Sequence, residues 1–255
     1  MRIVLDAAWV AGLLLALCRT AGFAAASPLV ARVLPPVGRV LFALAGAVFL
    51  ARPVPTEPTL PQLLGWAGAN VAVGLALAFV SGIALWTFEV AGEVLDVGSG
   101  LAVARVLDPL GHREVGVLAR LFQMTAFALL LGAGGDRLLL AGLARSVEAL
   151  PLAGAPSMPS GVGDLVLAGV SDLMLAGVEL AAPALASLVL AEVALAVAAR
   201  FAPQANVFLL GLPAKIALTF VLLGVVLASF PGAAHDALGR ALRAFGWTMR
   251  GLAGG

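Results

Sequence analysis

The sequence predicts an all-α, polytopic membrane protein of about six hydrophobic segments. Three observations carry that expectation. The 255 residues are 62% hydrophobic and only 11% charged, with a mean hydropathy of +1.09. Soluble domains are nearer half apolar and a quarter charged, so this chain has too little polar surface to cover a water-soluble globule. Several apolar runs approach the roughly 20 residues that cross a bilayer. Proline- and glycine-rich connectors separate them.

The first run, residues 7–26, imitates a signal peptide through Arg2, its apolar stretch and Ala24-Ala25-Ala26. Asp6 in the leading region and Arg19 before the small residues argue against cleavage, so an uncleaved first helix is expected. The second run, 37–51, is short and cannot extend backwards through Pro35-Pro36. The rigid connector Arg52-Pro53-Val54-Pro55-Thr56-Glu57-Pro58 follows.

Residues 63–88 form the clearest span, with Asn70 the one strongly polar residue. Gly74, Ala78 and Gly82 recur every four residues on one face, a spacing that lets another helix approach closely. The abundance of Ala and Gly throughout the chain discounts the motif. From 92 to 115 the chain reads as amphipathic and then irregular at Asp108-Pro109-Leu110-Gly111.

Residues 115–135 are apolar but contain Arg120 and Gln123, and 150–163 are too rich in proline and glycine to be helical throughout. The run 165–199 holds Asp172, Glu179 and Glu192, and Pro183 is expected to break it into two arms. The last run, 207–230, contains Pro213 and Lys215. A charge at bilayer depth costs several kcal/mol unless paired or snorkelling, so these spans are expected to face protein more than lipid. The tail from 236 to 250 fits an interfacial helix, with Leu238, Leu242, Phe245 and Met249 opposite Arg240, Arg243 and Arg250.

The chemistry-bearing residues are few. Cys18 is alone, which excludes an internal disulfide and a cysteine metal site. His112 and His235 lack a neighbouring nucleophile, and Lys215 is not in a phosphate-binding loop. No enzyme, cofactor or metal site is expected. A net charge of +1, with the arginines dispersed, gives no basic face for nucleic acid. Glu89, Glu93 and Asp96, spaced i, i+4, i+7, share one helical face. Such carboxylates can mark an ion path, but pairing with arginines of this chain or a neighbour is the expected role.

The strongest local signal is Arg200-Phe201-Ala202-Pro203-Gln204-Ala205-Asn206-Val207-Phe208-Leu209-Leu210-Gly211-Leu212-Pro213-Ala214-Lys215. Its residues alone predict a helical hairpin, with Asn206 capping the outgoing helix. The order R-x-x-P-Q-x-N-x-F-x-x-G-x-P-x-K resembles the late hairpin of the FliR/SctT export-gate family. Ala91-Gly92-Glu93, then Gly100 and Asp108-Pro109, is similar to that family's mid-chain segment. Leu118-Ala119-Arg120, Gly135-Asp136, Ser146 and Leu150-Pro151-Leu152 follow in the same order. There are departures. The family often has Gln-Met-Gly where this chain has Gly98-Ser99-Gly100, and Asp136 stands where a histidine or similar polar residue is common. The first departure removes support for a side-chain-specific role there, though not for the segment's place in the fold.

The resemblance implies one export-gate domain over residues 1–255, built of tilted helical hairpins in the bacterial inner membrane. It implies assembly with FliP-like and FliQ-like subunits beside an FlhB-like switch protein, within a flagellar basal body or an injectisome. Unfolded protein substrates would pass through the resulting pore. The segment 98–115, with Gly98, Ser99, Gly100, Asp108 and Pro109, is implied to plug the closed channel. The rival reading is a secondary transporter of a small solute, with Glu89, Glu93 and Asp96 as coupling carboxylates.

Overall fold

The computed structural model describes residues 6–54, 58–103, 115–154, 162–201 and 207–252. Among them all regular structure is helical: α1 (Ala7–Ala26), α2 (Pro28–Val33), α3 (Pro36–Leu50), α4 (Leu60–Ser99), α5 (Val117–Gly132), α6 (Gly135–Ala149), α7 (Val162–Phe201) and α8 (Val207–Leu252). Four helices contain stretches long and apolar enough to cross a membrane: α1, α4, the Leu167–Phe201 part of α7 and the Gly211–Ala237 part of α8. Helices α5 and α6, broken at Ala133 and Gly134, make a fifth if counted together, and α3 is a shorter apolar helix. This is the all-α polytopic class expected from composition.

The helix ends follow the sequence in places and overrun it in others. α1 has the predicted bounds, and Asp6 is its N-cap, with the carboxylate accepting from Ala8 N–H. α4 continues past Phe88 for eleven further residues to Ser99. Pro183 does not split α7, which runs unbroken for 40 residues. One proline removes a single helical hydrogen bond, and the Ala- and Leu-rich turns around it keep theirs. Likewise Pro213 and Pro231 lie inside α8, so the expected interfacial tail helix continues the last apolar run.

The chain groups into two compact units. The first comprises Met1–Ile83, Gly134–Gly169 and Gly239–Gly255. Its core joins Leu15 and Phe23 of α1, Ala47 of α3, Leu77 of α4 and Leu143 of α6, closed by Leu150 and Leu152. Helix α1 lies hard against its neighbours. A Cβ on Gly74 would come within 2.2 Å of the Arg19 carbonyl oxygen, and one on Gly12 within 1.9 Å of the Arg52 carbonyl oxygen. Gly74 and the fully buried Ala78 therefore are a packing stripe, as their spacing allows, despite the discount for composition.

The second unit comprises Ala84–Ala133 and Val170–Leu238. Its centre is an aromatic cluster. Phe230 of α8 meets Phe88 of α4 at 4.9 Å and Phe122 of α5 at 4.8 Å between ring centroids, both edge to face. That arrangement adds about 0.5–1.5 kcal/mol per pair beyond burial. Gly177 of α7 packs against Val90 and the Thr87 carbonyl, and Gly211 of α8 against Leu195.

Candidate functional site

Two polar clusters stand out, one in each unit: Arg19 with Asn70 and Ser146 in the first, and Glu89, Glu93, Asp96 and Gln123 in the second. In the second unit the cluster begins with the end of α5. A helix start leaves its first N–H groups without partners, and a Ser, Thr, Asp or Asn at the N-cap ordinarily satisfies them. Here the N-cap is Gly116, which has no side chain to offer. Helix α4 supplies the missing groups. Asp96 accepts from Leu118 N–H at 3.1 Å and Ala119 N–H at 3.0 Å, and Glu93 accepts from Gly116 N–H at 2.9 Å. The pair reproduces in trans the two halves of a capping box.

This cap needs two close approaches. A Cβ on Gly116 would sit 1.8 Å from Asp96 Oδ2, and a Cβ on Gly92 would sit 2.3 Å from Ala119 Cα. The mid-chain motif residues Gly92 and Glu93 thus have a shared structural role: one lets α4 and α5 touch, and the other caps α5. One turn earlier, Glu89 accepts from Gln123 Nε2 of α5. All three carboxylates of the i, i+4, i+7 face therefore bond α5 or its cap. The amides that Glu93 and Asp96 bond lie at a helix N-terminus, whose partial positive charge suits a carboxylate.

Helix α4 ends where the backbone turns left-handed at Gly100, φ +86°. Gly100 N–H donates to the Val97 carbonyl, and Ala102 N–H to the Asp96 carbonyl. A Cβ at Gly100 would also meet Leu212 at 2.5 Å. Gly98 and Ser99 belong to the last turn of the helix, so the segment 98–115, implied by the resemblance to plug the channel, begins with two helical residues. Asp108 and Pro109 lie outside the described residues.

The late hairpin motif is described in part. Arg200 is in the last turn of α7, Phe208 in the first turn of α8, and Gly211, Pro213 and Lys215 follow inside α8. Pro203, Gln204 and Asn206, with its expected cap, lie outside the described residues. Lys215 Nζ stands 3.2 Å from Glu192 Oε1, so the two charges thought costly in the apolar hairpin neutralise one another.

In the first unit the centre is Arg19, 1% exposed. Its Nε donates to Asn70 Oδ1 at 2.9 Å, Nη1 to the Ser146 carbonyl at 2.8 Å and to Ser146 Oγ at 3.2 Å, and Nη2 to the Leu150 carbonyl at 2.9 Å. Asn70 Nδ2 passes the network on to the Leu152 carbonyl at 3.0 Å. Helix α6 has no basic residue in its last turn. Arg19 of α1 provides that charge from outside, against carbonyls at the negative end of the dipole. Arg39 does the same on a smaller scale, donating to the Ala31 and Leu34 carbonyls at the end of α2.

These clusters are structural anchors. The carboxylates read as possible coupling groups each hold a helix end or a glutamine, and among the described residues no group of His, Cys, Asp and Glu could hold a metal ion. What the helices leave uncovered points outward. Only 17% of the most apolar stretch is buried in α7 and in α8, against 50% in α1 and 67% in α4.

Fold and exposed apolar surface define the class: an all-helical, multi-span membrane protein. The sequence model of the family described as "Bacterial export proteins, family 1" matches residues 10–241. The chain is 29% identical over 224 residues to "Flagellar biosynthetic protein FliR" of Bacillus subtilis, covering 84% of this chain and 85% of that protein. It is 32% identical over 157 residues to "Yop proteins translocation protein T" of Yersinia pestis, covering 61% of this chain and 60% of that protein. Identity to "Secretion system apparatus protein SsaT" of Salmonella typhimurium is 26% over 175 residues, covering 69% of this chain and 66% of that protein. The chain belongs to the bacterial export proteins, family 1, and is a membrane-embedded component of export machinery of the flagellar and type III secretion kind.

Proposed function

We propose that the chain is a pore-building subunit of the type III protein export gate in the bacterial inner membrane. It acts as one gate domain, without catalysis of its own, and assembles with FliP-like and FliQ-like subunits next to an FlhB-like switch protein. Unfolded protein substrates pass through the channel so formed. The observation that carries this reading is the uncovered apolar surface of α7 and α8, in a chain whose relatives are named for flagellar biosynthesis and for secretion. A surface that holds charged residues among exposed valines and leucines fits protein neighbours better than lipid. The segment that starts at the end of α4 is assigned to the closed channel on resemblance.

Affinity purification of the tagged chain in mild detergent, with and without co-expressed FliP-like and FliQ-like subunits, tests the proposal. A single complex containing all three is expected, together with loss of substrate export when the chain's gene is deleted. A homogeneous solitary monomer, with export intact in the deletion strain, overturns it.

A further inference from the structure

Asp172, Glu179 and Glu192 lie along α7, and the structure treats them differently. Glu192 is held by Lys215 of α8. Asp172 and Glu179, two turns apart on another side of the helix, are exposed and bond no described residue. At the 1.5 Å rise of an α-helix they stand roughly 10 Å apart. Their face continues through Leu175, Leu190, Val193 and Val197, each between 52% and 70% exposed. Such a face suits neither common solvent. Water would leave four large apolar side chains uncovered, and lipid would leave two carboxylates unpaired at a cost of several kcal/mol.

Glu179 presents a second acceptor at the same place. The helical donor for its carbonyl would be the N–H of residue 183, and Pro183 has none. A carboxylate and a freed carbonyl on one exposed turn call for a partner with several donors in a fixed geometry, which is the guanidinium of arginine.

We propose that the Asp172–Glu179 face of α7 docks an apolar helix of a neighbouring export-apparatus subunit that presents arginine to Glu179 and a second basic group to Asp172. The inference rests on the gate reading above. Apolar side chains of the partner cover Leu175 and Leu190, and the cations neutralise the two acids away from lipid.

A photo-cross-linking residue at position 175, between the acids on the face, is compared in intact cells with one at Met174, which is exposed but off the face. Position 175 is expected to attach to another apparatus subunit, on a peptide that mass spectrometry places in an arginine-bearing apolar helix. Position 174 should not attach to that helix. Glu179→Gln should lower the cross-link yield several-fold and Glu179→Arg should abolish it. Exchanging the partner arginine for glutamate should restore it with Glu179→Arg. Attachment to lipid alone, to a second copy of this chain or to a helix without a cation overturns the proposal. So does an undiminished yield with Glu179→Arg, or failure of the charge exchange to restore it. Copurification of the unaltered subunits is scored separately: if it succeeds while the cross-link fails, this inference falls and the gate reading stands.

Discussion

The Arg19 cluster and the Glu93–Asp96 cluster solve one problem with opposite charges. In the first, a cation from α1 binds carbonyls at the C-terminal end of α6. In the second, two anions from α4 bind amides at the N-terminal end of α5. Neither receiving helix carries its own cap of the right kind. The sign of each charge follows the helix dipole, and each buried ion is stabilised by backbone groups. The difference lies in reach. Arg19 spans 127 residues of sequence to find Ser146 through a long flexible stem. Asp96 is short, so the backbones themselves must come together, and glycines at 92 and 116 make that approach possible.

The largest effect should come from that difference in reach. Gly92→Val places methyl groups where the Ala119 backbone stands, and the two helices must part. Overpacking of this kind costs roughly 3 kcal/mol or more. Helix separation also breaks the Asp96 cap, so Gly92→Val is expected to abolish recovery of the folded protein in detergent. Recovery at the unaltered level would show that α4 and α5 approach less closely than the cap requires.

Arg19→Leu keeps the bulk and removes the donors. Asn70 Oδ1 and the Ser146 and Leu150 carbonyls then lose their partner in a buried site. Leaving buried polar groups unsatisfied costs about 1–3 kcal/mol each, so a total of roughly 3 kcal/mol is expected after partial relaxation. Thermal unfolding of the purified protein, followed by tryptophan fluorescence, should show a clear downward shift. Arg19→Lys should recover only part of it, since one ammonium cannot serve Asn70, Ser146 and Leu150 with the same planar geometry. Full recovery by lysine would mean that charge alone matters there.

Asp96→Asn sharpens the comparison from the other side. The amide oxygen can still accept from one of Leu118 and Ala119, while the other loses its acceptor and the negative charge disappears. A loss of about 1–2 kcal/mol is expected, within the range of N-cap substitutions. An unshifted midpoint would remove the trans-capping role.

Much of this was legible in the sequence, and the exceptions have physical reasons. Composition and run length give the class and the bounds of α1, because bilayer thickness dictates both. The late motif and the Gly92-Glu93 landmark point to the family. The apolar span ends at Phe88 while the helix runs on, and the spacing of Glu89, Glu93 and Asp96 already places them on one helical face. The spacing does not give their partner: Asp96 is buried because α5 offers it unpaired amides. A detectable signal was the absence of any capping side chain before Val117. Arg19 looked like a flaw in its span, since Asn70 and Ser146 lie 51 and 127 residues away and no local pattern connects them. Pro183 looked like a break, but a single missing N–H does not end a helix whose other turns are intact.

The smallest effect is expected at the Glu192–Lys215 pair, which is an ion pair of a different kind from the two buried clusters. Lys215 is mostly covered, at 16% side-chain exposure, while Glu192 is 68% exposed. An exposed partner holds its geometry at the cost of side-chain entropy, so such pairs contribute about 1 kcal/mol or less. Glu192→Gln keeps a group able to accept from Lys215 and removes only the charge. A shift in the unfolding midpoint below that of Asp96→Asn is therefore expected for the isolated chain. Lys215→Met removes the more buried member and lets an apolar stem fill its place, which also spares the chain a charge to desolvate. It should be as mild as Glu192→Gln or milder. If either variant matched the Arg19→Leu loss, the pair would have to be counted with the buried anchors, and the distinction drawn here between charges that hold helix ends and charges that neutralise each other across a hairpin would fail.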